Sequence, residues 1–547
     1  MNFRHTLFAL VLLISNGLLA QKASIKKDDN VKLNWGADFK LPKKHFDIGF
    51  IGSKEEGLAE VAIRPKKAMV FQKFDSKFKA KGTETVDLKK YPKGFTNEGL
   101  KKMGNNQYWF YSAWDKKNKK EQLYCDQIDL KSAKLKGKEK KIVESKKLSG
   151  VMTATGFYSF AIVGKYNFYF NYDTTMLMVQ YRTKPEERND KKNKDVIGIN
   201  IFDKDMNKLW GKEVKMPYTE AEIDNIDYQL DKAGNAYILI KMKKGKEKVD
   251  KKKQEVFDLK VLKITKDSKE VKVIDLDFKS KFVGSLRMYE NKKGNIQLIG
   301  FYSNERSGVD GVMSAEMKGE VFEDFKFNEI PDNVIKQFEN LKTQKKMDKK
   351  ENKKGKDGDQ EASNLNLSYV RFNDDGTMTV TAEEFYYTVT VTRSGNSTRT
   401  TYHYYYNDIY VMFLDPDGEM IWAKKIPKSQ AGSTSYYHSY ESSNTMSFYY
   451  QYYQGDHYII FMDNAKNANL KNDQRPATHS DGWGGMVSSV RLDKDGNMFR
   501  QKLFDVRDQK KSLRPREFDK IAPNMAINRA YGKGVSNPVV LTFDEED

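Results

Sequence analysis

A chain of 547 residues is too long for one simple core unless that core is assembled from repeated units. Its apolar content is only 38%, yet 13% of it is aromatic, with 31 Tyr and 32 Phe, which excludes a disordered chain and favours strands. A net charge of +20 draws anionic surfaces, and a single cysteine, Cys125, excludes an internal disulfide.

Residues 1–20 have the form of a signal peptide: Arg4, an apolar run from Leu7 to Ile14, a polar break, then Leu18-Leu19-Ala20 before Gln21. The run is too short to span a bilayer, and no cysteine follows it to carry a lipid anchor. The expectation is therefore an exported protein, periplasmic or outer-membrane associated, with no transmembrane segment after cleavage and no nucleic-acid partner. Residues 21–46 read as a polar lead-in.

From 47 to 543 the chain divides into units of one grammar. The first half of a unit is strand, tight turn, strand, clearest at Asp231-Lys-Ala-Gly-Asn235, Asn291-Lys-Lys-Gly-Asn295 and Asn373-Asp-Asp-Gly376. Glycine and asparagine stand there because such turns need positive φ. Weaker copies fall at Gly57, Gly104, Thr174 and Asn444.

The second half is a hairpin phrase, INIFDKDMNKLWGKEVKMP at 199–217, YVMFLDPDGEMIWAKKIP at 410–427, and a third copy framed by Asp493, Asp495, Phe499, Lys502 and Phe504. Degenerate copies fall at Asp75, Asp129, Thr265 and Glu316. Paired turns give about seven units, and sheets with two apolar faces are stable only when neighbours cover both. The expected fold is an all-β β-propeller of four-stranded blades. Its last strand lies at 537–543, and that strand or the segment 47–51 completes one blade from both chain ends, with an acidic tail at 544–547.

One segment interrupts the scheme. Residues 331–342 (PDNVIKQFENLK) carry Val334, Phe338 and Leu341 at helical spacing behind Asp332, and a charged low-complexity loop follows. This places an insertion, 332–367, between units five and six, and makes Phe338 a candidate docking residue.

No motif carries catalysis. The turn Asp493-Lys-Asp-Gly-Asn497 lacks the glycine and glutamate spacing of a calcium loop, and the histidines lack zinc spacing, so no cofactor or metal is expected. Cys125 alternates with Leu123 as a small buried residue would, and adjacent Glu383 and Glu384 suit a surface. The tyrosine clusters hold the most promise for binding: Tyr404, Tyr405 and Tyr406, then Tyr449, Tyr450, Tyr452 and Tyr453, with Trp483 on a glycine-rich loop.

At 231–237 (DKAGNAY) and 414–422 (LDPDGEMIW) the chain resembles the bacterial exported β-propeller repeat, whose units pair a D-x-x-G-N-x-Y half with an L-x-P-D-G-x-x-x-W/Y half. The resemblance implies the fold and an extracytoplasmic setting, and it carries over no catalytic residue. The function expected is a non-enzymatic scaffold in a cell-envelope or outer-membrane protein assembly. The alternatives are carbohydrate binding through exposed Tyr and Trp, with a glycan or anionic envelope surface as partner, and a hydrolase or lyase with a channel site. N-terminal sequencing of the exported protein is expected to begin at Gln21; an exported form beginning at Met1 would refute the cleavage.

Overall fold

The computed structural model describes residues 25–543 apart from 40–44, 54, 56, 65–66, 157–158, 186–188, 244–256, 306–307, 355–361, 363, 396, 436–444, 483 and 533–534. The signal segment, Trp483, Asn444 and the acidic tail thus lie outside the described residues.

Why these sequences form sheets covered on both faces is clearest in the strand Ala236–Lys243, AYILIKMK. Ala236, Ile238 and Ile240 join a cluster with the preceding sheet, while Tyr237 and Leu239 join one with the following sheet. Alternation along a strand sends successive side chains to opposite faces, and here both faces are core.

Among the described residues there are eight sheets of four or more strands and one separate hairpin, Val151–Gly156 with Ser159–Val163. Each sheet is a blade built outward from an inner strand. In chain order the inner strands are Phe46–Ser53, Thr96–Met103, Tyr166–Phe170, Ile223–Leu230, Phe282–Glu290, Leu365–Phe372, Phe448–Tyr453 and Asp519–Ala522.

One hydrophobic cluster fills each junction between consecutive blades. Phe71 meets Trp109, Phe110 meets Val179, Ile199 meets Ile238, Val261 meets Leu298, Val312 meets Val380, Val411 meets Phe461, and Ile460 meets Leu541. The eighth cluster joins Ile527 and Val540 of the last blade to Leu58 and Phe74 of the first. The ring closes, and the fold is a β-propeller of eight blades.

The estimate of about seven units omits one blade for a physical reason. Blade eight takes Asp519–Ala522, Met525–Gly532 and Val535–Phe543 from one end of the chain and its outermost strand, Val31–Trp35, from the other. Val31 pairs with Phe543 and Trp35 with Val539, so no hairpin phrase marks this blade and 21–46 is more than a lead-in. In blade seven the first turn falls at Gln454 and Gly455, away from the Asn444 expected to mark it.

The repeated turn aspartate has one job. Asp203, Asp415 and Asp493 each accept, on Oδ1, the amides two and four residues on, at 2.8–3.0 Å. Asp231 and the weakly patterned Asp75 do the same. Carboxylates engaged in this way are turn builders. Met206 stands where other turns have glycine, at φ 60, and its side chain is buried in the cluster between blades two and three.

The insertion between blades five and six is helical over α1, Asp332–Lys336, and α2, Leu341–Lys354, so part of the expected charged loop is helix. The single helix expected over 331–342 is broken at Phe338, which has φ 59 and donates its amide to Asn472 O at 2.8 Å. Replacing Leu541, fully buried between blades seven and eight, with Ala is expected to destabilise by about 2–5 kcal/mol, and Leu209→Ala on the exposed surface by under about 0.5 kcal/mol. Denaturant midpoints compare the two.

Candidate functional site

Inner strands surround the ring axis, and toward one end their residues face a cavity of about 540 Å³. Blades three to eight all contribute, through Phe170, Gln229, Tyr289, Tyr369, Tyr452 and Lys520 among others. The local sequences explain the shape. Inner strands are irregular in register, with bulges at Asn225/Asp227, Leu367/Tyr369 and Lys520/Ala522, and a bulge re-aims the side chains beside it.

The wall is aromatic. Tyr369 lies 5.6 Å from Tyr450 at 35° and 5.5 Å from Phe448, while Tyr449 packs 5.0 Å from Phe518. Tyr172 and Tyr289 both approach Phe372 edge-on at 6.5 Å. The Arg371 guanidinium sits 4.3 Å over the Tyr452 ring, and its Nε donates to Asn373 Oδ1 at 3.0 Å. Cation and ring fix each other in place.

Behind the wall the tyrosine hydroxyls are held. Tyr450 Oη and His457 Nδ1 are 2.9 Å apart, and burial, helped by the Arg371 charge, lowers the His457 pKa to about 3. The neutral imidazole is thereby favoured, paired through Nδ1 with the Tyr450 hydroxyl. Tyr449 Oη donates to Gln451 Oε1 at 2.5 Å, and Gln451 Nε2 donates to Pro523 O at 2.7 Å.

Four charged groups line the mouth: Arg371, Lys520, Glu290 and Asp519. Glu290 accepts the amides of Tyr172, at 2.5 Å, and Lys232, tying blades three, four and five together. Asp519 accepts the Phe50 amide at 3.1 Å and so links blade eight to blade one. Burial raises the Asp519 pKa to about 6, with Asp47 and Glu517 adding to the rise. Burial lowers that of Lys520, and Arg371 adds to the fall.

Along the axis the pattern repeats: Asp227 accepts the Met288 amide at 2.8 Å, and Arg529 pairs with Asp47 at 2.9 Å and with Glu60. These carboxylates bind neighbouring blades.

The sequence candidates divide. Tyr449, Tyr450 and Tyr452 come together at the mouth, and Tyr453 packs at the junction of blades seven and eight. Tyr404 and Tyr406 are only 3% and 2% exposed, with Tyr404 Oη donating to Asp481, so they do not offer a surface. Tyr405 stacks on Tyr386 at 4.7 Å. Phe338 is buried, which corrects its assignment as a docking residue. Cys125 is buried too, and burial raises its pKa to about 12.

Adjacent Glu383 and Glu384 were expected on a surface, and both instead enter a charged interior, because a bulge between Glu383 and Phe385 breaks the alternation. Glu383 meets Lys428 at 2.8 Å and accepts from Ser447 Oγ at 2.7 Å. Burial, then the Asp408 charge, raises the Glu384 pKa to about 8. Sequence reasoning missed Tyr369, Arg371 and Tyr289, which lie on the inner strands of blades five and six and which no motif marks.

No family model and no curated protein matches the chain. Solved structures similar to it include the β-propeller domain of the Trilobed protease from Pyrococcus furiosus, at 10% identity over 86% of this chain and 98% of that one, with a TM-score of 0.33. The WD40 domain of SCAP from fission yeast is similar at 7% identity over 95% and 99%, with a TM-score of 0.35. Prolyl oligopeptidase B from Galerina marginata is similar at 10% identity over 93% and 55%, with a TM-score of 0.37. The propeller assignment rests on the closed ring of sheets.

Asp519 supplies a pH test. Its folded pKa lies above the ordinary 3.8, so the folded state holds the proton more tightly, and its contribution to stability is present below about pH 4 and lost as pH rises through about 6. Denaturation between pH 4 and 7 is expected to show a smaller loss of stability with rising pH in Asp519→Asn than in the parent.

Proposed function

We propose that this protein is an exported, non-enzymatic binding propeller whose channel mouth takes a neutral carbohydrate. The observation that carries the reading is the set of aromatic rings from several blades around the 540 Å³ mouth, with Arg371 and Lys520 among them as polar groups. Sugars present flat C–H faces to such rings and hydroxyls to such polar groups.

Charge favours a neutral ligand over an anionic one. Arg371 and Lys520 stand against Glu290 and Asp519, so the mouth is close to balanced although the chain carries +20. An anion would be drawn more strongly elsewhere on the surface. The carbohydrate reading thus moves from the Tyr404 to Tyr406 cluster to the ring axis.

Export rests on the 1–20 segment, and the kinship with exported repeat propellers on the 231–237 and 414–422 motifs. A scaffold role in an envelope assembly has a different part of the molecule in its favour, the long hairpin of blade six, which extends past its own sheet.

A glycan array followed by calorimetry tests the carbohydrate reading. Tyr452→Ala and Tyr369→Ala are expected to weaken binding of a neutral oligosaccharide at least about tenfold, as loss of a stacking ring does, while Tyr405→Ala leaves it unchanged. A blank array, or binding indifferent to Tyr452→Ala, overturns it.

A further inference from the structure

The second and third strands of blade six, Met378–Ser394 and Ser397–Leu414, are 17 and 18 residues long, whereas the corresponding strands of blade five, Ile296–Ser303 and Gly311–Lys318, have 8 each. Their sequences account for this: apart from Arg399, YYTVTVT and TRTTYHYYY are β-branched or aromatic, with no proline, and keep extending where other blades turn. The inner strand stops at Leu365, opposite Glu384. Beyond it the two long strands continue alone as a ribbon, from Phe385 paired with Tyr406 to Ser394 paired with Ser397.

The ribbon's two edges differ. On one, Tyr402 to Tyr406 pair with Gln430–Thr434, which pairs in turn with His479–Ser480. On the other, residues 388–393 have no backbone partner besides their own ribbon mate among the described residues. Phe385 fixes which groups face outward, since it donates its amide away from the ribbon mate, to Asn364 O at 3.0 Å. Alternation then turns the N–H and C=O of Val389, Val391 and Arg393 to the open edge.

Proteins normally blunt such an edge with proline, a bulge or charge. From 388 to 392 this one has none: the residues are Thr, Val, Thr, Val, Thr, with Val389 48% and Val391 53% exposed. We propose that this edge accepts an extended, acidic segment of another protein as an added strand. Backbone amides would hold the strand, the valines would take its apolar side chains, and Arg393, on the valines' face of the same strand, would take its carboxylates.

Charge selects the partner. Between Phe385 and Asn407 there is no Asp or Glu, and Arg393 lies near the tip on the same ribbon face as Val389 and Val391, on a chain of net charge +20. A second copy would bring like charge against like charge, whereas an acidic strand meets complementary charge along its whole approach.

The test titrates the full chain with a panel of fluorescent ten-residue peptides that alternate Val or Thr and end in Glu, alongside the same peptides N-methylated at alternate amides and versions ending in Lys. Saturable binding of the acidic set, lost on N-methylation, is expected. Val389→Pro removes an outward amide without breaking a bond to the ribbon mate and is expected to abolish binding. Arg393→Glu keeps the backbone edge intact, and is expected to weaken acidic peptides at least tenfold and to favour the Lys-ended set. Tyr452→Ala at the channel mouth is expected to bind the peptides as the parent does, which separates this edge from the carbohydrate reading. Binding indifferent to N-methylation, no binding by any acidic peptide, or a dimer in sedimentation that Val389→Pro converts to monomer would each overturn the proposal.

Discussion

Everything in this molecule depends on the mutual covering of sheet faces. A blade such as 223–275 has large apolar side chains on both sides, and neither side could face water. Each blade covers one face of its neighbour and has its own covered in return. The arrangement is self-consistent only when the last blade reaches the first, as Ile527 and Val540 do against Leu58 and Phe74. Closure replaces the disulfides that a chain with one cysteine cannot make.

The same closure creates the site. Inner strands brought together around an axis have no sheet face left to cover, so their side chains decide what the centre is. Near the mouth they are rings, and deeper they are charges used to tie adjacent blades, Asp227 to the Met288 amide and Arg529 to Asp47. Buried pairs of this kind add little net stability, but removing one partner strands the other, so they fix the relative setting of the blades.

The turn code was legible because it is local. Asp203, Asp415 and Asp493 make the same hydrogen bonds two and four residues away, so spacing alone reveals them. Closure from both chain ends was expected, but the eighth blade was not counted because no hairpin phrase marks it and its outer strand, Val31–Trp35, lies in what read as a lead-in. The tyrosine clusters were visible as composition, but composition does not say which ring faces the axis. Tyr404, Tyr406 and Phe338 were misassigned for the same reason: alternation says which residues share a face, and only the third dimension says what covers it.

The pairing of Val31 with Phe543 also sets an order of events in time. The two strands lie far apart along the chain, so seven blades can stack while the eighth still lacks its outer strand. Without that pairing the structure is an open arc with two unprotected ends, so ring closure is the last contact that the core requires.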